Sequence, residues 1–584
     1  MEQKHYYTDE LNTQIVIALL KAHGIRKVVA NPGTTNISLV GSVQNDPWFQ
    51  VYSGVDERHS AYLACGLSYE SGAPVVLSCT GATASRNYLP ALTEAYYRKL
   101  PILAITSMHP FTGIGQFVPQ VIDRSISQPD VSVGKFEIRA VRSDADAKYC
   151  ANRMNAAILA LRRNGGGPVH VNLEETGVMS FRTVTLPVVQ KVDLFNVDTI
   201  KGLPAIPDNA KVVLFLSSGR ASPAWSKFAS EHNVAVFASE ECSYSGPKRV
   251  HASLLTSQEG FGSNPKYKHL IPDLIIDAGE MSGDYPGCGF LCGKAPVWRV
   301  SIDGELRDRF GRLQHVFQMS ALQFVERYAT TSKSEDSYFK AWQGADKALR
   351  EKVPELPFSN PWIAQMISSR IPVDSVMHFG ILNSLRSWSL FPVADSVLTA
   401  SNVGGFGIDG GVSTLVGASL ANPGKLHFGV FGDLAFFYDL NALGNRHIGK
   451  NLRILLVNNG CGAEFNMYFH GGAQFEEHTN DYIAAGGHFG SKSSELVKHY
   501  VSDLGFKYLC ASNKSEFITV ADEFLSHKVD ASMVLECFTT ASEESDAHKL
   551  INTIDAFWMT NTPIGKLKSL VPEKIKNVVK ELVK

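Results

Sequence analysis

Two places in this 584-residue chain concentrate residue types able to do chemistry. The denser is "KLHFGVFGDLAFFYDLNALGNRHIGKNLRILLVNNGCGAEF", residues 425–465. An apolar strand pattern runs into Gly432 and Asp433, a helical stripe of Phe436, Phe437, Leu440 and Leu443 follows, and a second apolar strand runs into Asn458 and Asn459. In an open parallel sheet the carboxyl ends of the strands are where ligands bind. A carboxylate and an amide oxygen brought together there suit a hard divalent cation, and Mg²⁺ keeps places for phosphate oxygens. The helix start after Gly432 offers free N–H groups and a favourable dipole to the same anion. The segment therefore reads as a metal and diphosphate clamp. A lone Gly-Asp is more often a helix cap, and asparagines are common in turns; the paired spacing and the doubled Asn favour the clamp. The second place is "VDERHSAYLACG", residues 55–66, where Glu57 follows an apolar strand and opens a helix of small residues suited to burial. An unpaired buried carboxylate is costly, so something must sit against Glu57 and use it. A neighbouring arginine is the plain alternative.

The elements that must position these groups recur along the chain. Residues 10–185 alternate helix and strand through "LNTQIVIALLKAHG", "RKVVANPG", "APVVLSCTGATASRN", "LPILAITS" and "GPVHVNLEE". A second set, after a Pro-rich stretch at 187–207, runs from "KVVLFLSSG" through "PDLIIDAGE" to "PVWRVSIDGE", and a third runs from "SVMHFGILNS" to "SMVLECF". Strands separated by helices predict parallel sheets covered on both faces. The expected fold class is α/β, with three doubly wound parallel-sheet domains at 1–186, 187–350 and 351–555. The polar stretch that begins "TTSKSEDSYFKAW" is expected to be a linker with one helix. Residues 556–584, with Leu, Val and Ile at helical spacing among lysines, are expected to form a helical tail. The first and third sets share a plan of strand, Gly-containing turn and helix, a sign of duplication.

Composition narrows the class. Hydrophobic residues make up 44% and charged residues 19%, with a formal net charge of -2, so nothing suggests nucleic acid as a partner. No basic n-region with an apolar h-region opens the sequence and no apolar run reaches membrane-spanning length. The expectation is a cytoplasmic protein with no membrane partner. The nine cysteines are scattered; the pair Cys288 and Cys292 lacks the second pair that a zinc site needs.

Gly-Asp, one helix and Asn-Asn together resemble the motif of thiamine-diphosphate enzymes, and "DER" at 56–58 is similar to the segment that carries their activating glutamate. With "GDLAFFYDLNAL", "SNVGGFGIDGGVSTLVG" and "NPGTT", the likeness covers nearly the whole chain. The chain resembles the acetolactate synthase and benzoylformate decarboxylase superfamily, and within it most the menaquinone-pathway succinyl-enolpyruvyl-hydroxycyclohexene-carboxylate synthases. The resemblance implies a pyrimidine-binding first domain, a central domain and a diphosphate-binding third domain. It also implies a homodimer or homotetramer, with thiamine diphosphate and Mg²⁺ held between the first domain of one subunit and the third of another. Asp433 and Asn459 are then side-chain metal ligands, and Cys461 contributes its backbone carbonyl. Gly432, Asp433, Leu434 and Asn459 line the cofactor, Asn383 and Ser384 meet its diphosphate, and Gly407 and Ile408 prop it in a bent shape. Glu57 hydrogen-bonds its aminopyrimidine and favours the imino tautomer that removes the thiazolium proton, with burial raising the carboxyl pKa.

The activity so implied is decarboxylation of a 2-oxo acid with transfer of the acyl anion equivalent to an aldehyde or other acceptor. A simple decarboxylase releasing an aldehyde is the runner-up, and a cofactor-binding protein without turnover is a third reading. A flavin is not expected. Where the menaquinone synthases carry arginines for their acidic substrates, this chain has Thr35, Val403 and, near Arg386, Trp388. Losing charge-assisted contacts worth roughly 1.5–3 kcal/mol each should abolish binding of those acids. Glu464, where relatives are apolar, is expected to be an acid/base group or electrostatic gate, or else an outward-turned glutamate. Gln120, in the loop that also holds Gln116 and Asp123, is the other candidate catalytic residue, ahead of His59, His109 and His470.

Overall fold

Continuous apolar runs make strands that are buried on both faces, and this chain has several. Val75–Cys79, Val212–Leu216 and Leu452–Asn458 are buried at every position. Such strands belong in parallel sheets covered by helices. The computed structural model of the protein describes residues 6–125, 128–197, 202–330, 336–528 and 530–557. From residue 558 on, the expected helical tail lies outside the described residues.

The chain divides into two compact units. The first lies within Met1–Pro204, Val297–Asp308 and Leu313–Ser320, and the second within Ala205–Pro296, Arg309–Arg312 and Ala321–Lys584. In the first unit, β1 (Lys27–Ala30), β2 (Gln50–Ser53), β3 (Val75–Cys79), β4 (Ile102–Met108), β5 (Gly134–Ile138) and β6 (Val169–Glu174) form one sheet, in the order β2-β1-β3-β4-β6-β5. Every pairing in it is parallel. Helix α1 (Glu57–Ser71) leaves β2 and packs Ala61, Ala64 and Cys65 against Leu77, Cys79 and Tyr88. The unit also holds a parallel ladder of Val297–Ser301, Leu313–Gln318 and Asp193–Asn196.

In the second unit, Val212–Leu216 pairs in parallel with Val234–Ala238 on one side and Leu274–Asp277 on the other. A further sheet is built from β7 (Val376–Phe379), β8 (Leu398–Ser401), β9 (His427–Gly432), β10 (Leu452–Asn458), β11 (Lys507–Ala511) and β12 (Met533–Phe538). Its order is β8-β7-β9-β10-β12-β11, again all parallel. Strand for strand this is the order of the first sheet, which supports the duplicated plan read from the sequence. In both, the chain reverses its direction of winding between the first and third strands, the switch point where an open sheet leaves a crevice at its carboxyl edge.

The α/β class with parallel sheets is as expected. The supposed linker is not one: its helix α2 (Ser337–Arg350) buries Tyr338, Trp342 and Leu349, and Trp342 meets Phe237 edge-on with ring centroids 5.0 Å apart. The polar face of α2 dominates its composition and masks the narrow apolar stripe. Among the described residues no helix is long and apolar enough to cross a membrane.

Strand β9 delivers the Gly432–Asp433 turn, and its anchor is Phe431, fully buried in the cluster with Val412, Leu415, Leu452 and Ile454. Phe431→Ala should cost about 3–5 kcal/mol. Chemical denaturation of the two proteins checks this; an unchanged midpoint would show that the strand is held by something else.

Candidate active site

At the carboxyl edge of the second unit's sheet, Gly432 of β9 lies opposite Val457 of β10. This register sets Asp433 beside the turn that follows Asn458. The Asp433 side chain is buried, and burial pushes its carboxyl up to about 7, while N–H groups of Leu434 and Gly460 pull the other way. The turn is held open by its own bonds. Gly460 N–H donates to Asn458 Oδ1 at 3.2 Å, Ser491 Oγ donates to the Gly460 carbonyl at 2.8 Å, and Gly460 takes φ +76°, which suits a glycine. Asn458 does not face the cavity as a ligand: its Nδ2 donates to buried Glu536 at 2.7 Å. That leaves half-buried Asn459, which lines a cavity of about 730 Å³ with Cys461, Asn480 and Ser491. The Cys461 carbonyl accepts one bond, from Ala463 N–H at 2.9 Å, and keeps a second lone pair.

The helix after Gly432 is shorter than its stripe suggests. After α3 (Asn360–Ile367) and α4 (Asn383–Leu390), the helix here, α5, spans only Asp433–Tyr438 and gives way to a 3-10 turn at Leu440–Gly444. It stops because the Asp439 carboxylate turns to Ser413, accepting from its N–H and its hydroxyl at 2.5 Å each. A six-residue helix has a weak dipole, so the expected help to an anion shrinks. Phe436, Phe437 and Leu443 are buried as expected.

Helix α4 (Asn383–Leu390) begins on the other side of the switch point, after β7. Ser384 is buried. Asn383 is committed inward: its Nδ2 donates to Glu544 at 3.1 Å and its Oδ1 lies 3.0 Å from His548 Nε2. What it can offer a diphosphate is its main chain. Glu544 and His548 are fully buried, and burial raises the Glu544 carboxyl and drives His548 down to about 3, with Arg386 adding to the latter. This network was missed in the sequence, where Glu544 and His548 are four apart on one helix face, the available signal. Gly407 is exposed and Ile408 half-buried in the loop before Gly411. A side chain at position 407 would come within 2.3 Å of Asp409 Oδ1.

Glu464 is neither outward-turned nor free. It accepts from both terminal nitrogens of Arg386, at 2.6 and 2.9 Å, with side chains only 15% and 14% exposed. Arg386 also stacks over Phe469, 5.1 Å from the ring centre. The three positions read as lost arginines are closed. Thr35 is buried with its hydroxyl 2.5 Å from that of Thr80, Val403 is buried, and Trp388 is fully buried with Nε1 donating to Asn360 at 3.1 Å.

In the first unit Glu57 opens α1, whose cap is Asp56, accepting from Arg58 and His59 N–H groups at 2.8 and 3.2 Å. Glu57 is half-buried, not buried as the sequence suggested, because β2 is an exposed edge strand and not an apolar core one. The small-residue face of α1 is buried as expected. Gln120 is exposed, with φ +64°, in the loop that also exposes Gln116 and Asp123. Among the described residues no hydrogen bond joins it to Glu57. His59 is exposed, His109 Nδ1 is 2.5 Å from Glu175, and His470 Nδ1 accepts from Gly472 N–H at 2.9 Å. Among the described residues no group of three or more His, Cys, Asp or Glu side chains converges as a metal site.

Residues 12–127 match the family described as "Thiamine pyrophosphate enzyme, N-terminal TPP binding domain". The 2-succinyl-5-enolpyruvyl-6-hydroxy-3-cyclohexene-1-carboxylate synthase of Bacteroides fragilis is 31% identical over 479 residues, 79% of this chain and 85% of that protein. The proteins of that name from Phocaeicola vulgatus and Bacteroides thetaiotaomicron are each 28% identical, over 92% of this chain and 97% and 98% of their own lengths.

One carboxylate, which with Val403 flanks Gly283, gives a pH signature. Glu241 is buried, accepts from the Ser282 hydroxyl and from Gly283 N–H at 2.6 Å, and is pushed up by burial to about 7. The fold therefore binds this proton more tightly than the unfolded chain. The stability it contributes is complete below about pH 4.5 and is lost as pH rises through about 7. Glu241→Gln should remove up to about 3 kcal/mol of that loss. Melting temperatures from pH 5 to 8 check it: the variant should gain on the wild type with rising pH, and parallel curves would refute the assignment.

Proposed function

The chain belongs to the family of thiamine-diphosphate-dependent enzymes represented by the 2-succinyl-5-enolpyruvyl-6-hydroxy-3-cyclohexene-1-carboxylate synthases, and from that membership we propose that it decarboxylates a 2-oxo acid and passes the acyl unit to an acceptor, with Mg²⁺ as the second cofactor. The observation that carries the reading is the buried Asp433 carboxylate at the end of β9, beside the turn that presents Asn459 and Cys461. Those groups offer oxygen donors only, the set that Mg²⁺ takes. A buried carboxylate with few internal bonds is a poor structural element and a good cation ligand.

When bound, thiamine diphosphate supplies the carbon nucleophile that adds to a 2-oxo carbonyl and holds the electron pair left as CO₂ departs. Asp433, Asn459 and the Cys461 carbonyl would hold the metal, and main-chain groups at Leu434 and at the start of α4 would receive the diphosphate. Ile408 would support the coenzyme's bend. Glu57 would share a proton with its aminopyrimidine, a task that suits a half-buried carboxylate fixed at a helix start. Gln120, on its exposed loop, would orient substrate. Of the two roles expected for Glu464, its double bond to Arg386 supports the electrostatic gate and not the free acid. The homodimer or homotetramer of the resemblance, and the division into three domains, belong to the same proposal.

The closed positions Thr35, Val403 and Trp388 support a substrate other than those of the menaquinone synthases. The protein incubated with thiamine diphosphate, Mg²⁺ and a broad panel of 2-oxo acids, with and without aldehyde acceptors, should release CO₂ from at least one acid. A ligated product is expected; an aldehyde alone would mean simple decarboxylation, and coenzyme binding without any CO₂ would sink the enzymatic reading. Glu57→Gln should keep coenzyme binding and lose at least about 100-fold in rate; unchanged turnover would remove its role. Chelation of Mg²⁺ should abolish coenzyme binding, and retention in EDTA would contradict the clamp.

A further inference from the structure

The second unit contains a cavity of about 670 Å³ whose wall includes the Arg386 and Glu464 pair. Three aromatic side chains, Phe465, Tyr468 and Phe469, follow Glu464 along the chain and line it, and Tyr285 closes it from another segment. Arg386 is the only permanently charged cation among the described residues that line it. Both of its terminal nitrogens are already held by Glu464, and Phe469 covers its face. Glu259 and Asp284 also face the cavity. Asp284 is a helix cap whose Oδ1 accepts from Gly287 N–H at 3.1 Å and from Ser253 Oγ at 3.3 Å. The wall thus carries three carboxyl groups against one guanidinium. Two imidazole rings also line it: His548 is held neutral by burial and by Arg386, and His470 accepts at Nδ1 from Gly472 N–H at 2.9 Å, so that nitrogen carries no proton.

A carboxylate entering this cavity finds no vacant cation. It would have to take the fork from Glu464 and leave that largely buried carboxylate unpaired, with Glu259 adding repulsion. An uncharged ring meets aromatic neighbours and displaces no ion pair. We infer that the cavity receives an uncharged, aromatic-sized substrate body, and that Glu464 acts as a specificity-determining residue which excludes a second carboxylate by occupying Arg386. The inference rests on the proposed 2-oxo acid chemistry only for calling the occupant a substrate.

The test uses binding to the full-length protein and needs no turnover, so its failure is separate from failure of the CO₂ assay. Benzyl alcohol and para-hydroxymethylbenzoate differ by one carboxylate and are compared by saturation-transfer NMR titration. The wild type should bind the alcohol at least about tenfold more tightly than the carboxylate. Glu464→Gln frees the guanidinium and should invert that preference, and the double variant Glu464→Gln with Arg386→Gln should lose the acquired affinity for the carboxylate. The wild-type ratio decides alone if the variants do not fold. Preference of the wild type for the carboxylate, absence of binding by either probe, or an unaltered ratio in folded Glu464→Gln would overturn the inference.

Discussion

Asp433 sits where a carboxylate is expensive to keep. It is buried at the end of β9, its proton is held up to about 7 by that burial, and its compensating bonds come only from neighbouring main-chain N–H groups. The rest of the site depends on this placement. The pairing of Gly432 with Val457 fixes where the turn after Asn458 falls, and the commitment of Asn458 to Glu536 leaves the next residue, Asn459, as the one that lines the cavity. A protein that did not use the charge would be more stable with an apolar or amide side chain there. A divalent cation reverses that preference, since it makes the ionised form the favoured one.

The surroundings of Asp433 show how much supporting structure a few exposed oxygens require. Asn383, Glu544 and His548 form a buried polar network behind α4, and Asp439 ends α5 to grip the start of the helix Gly411–Ala421. These groups are spent on holding backbone, so they fix loops and contribute no ligand of their own. The same economy appears at the other switch point, where Asn31 holds Gly54 and Ser60 while Tyr88 donates to Asn31. These bonds tie the loop before Glu57 to the end of β1.

Much of this was legible in the chain. Uninterrupted apolar strands ending in Gly-Asp and Asn-Asn announce a parallel sheet with its ligand edge, because burial on both faces demands such runs and turns demand such residues. The small-residue face of α1 was legible for the same reason. What was not legible depended on long-range partners. Glu57 was read as buried because the edge position of β2 is set by strand order, which local pattern does not reveal. The helix Ser337–Arg350 was expected within a linker, but its packing was not legible because its buried face is only one stripe wide. Glu464 looked equally suited to solvent or to chemistry, and its bidentate bond to Arg386, 78 residues away, decides between them. The commitment of Asn383 to Glu544 is the same kind of fact.

Asp433 is proposed as a metal ligand at the coenzyme's diphosphate. A crystal structure of the protein with thiamine diphosphate and Mn²⁺ in place of Mg²⁺ tests it most directly, because the anomalous signal locates the metal without assumption. One metal is expected in direct contact with an Asp433 carboxylate oxygen, with the Asn459 side chain, the Cys461 carbonyl and diphosphate oxygens completing its shell. A metal and diphosphate bound elsewhere, or a filled site that leaves Asp433 without contact to either, would contradict it.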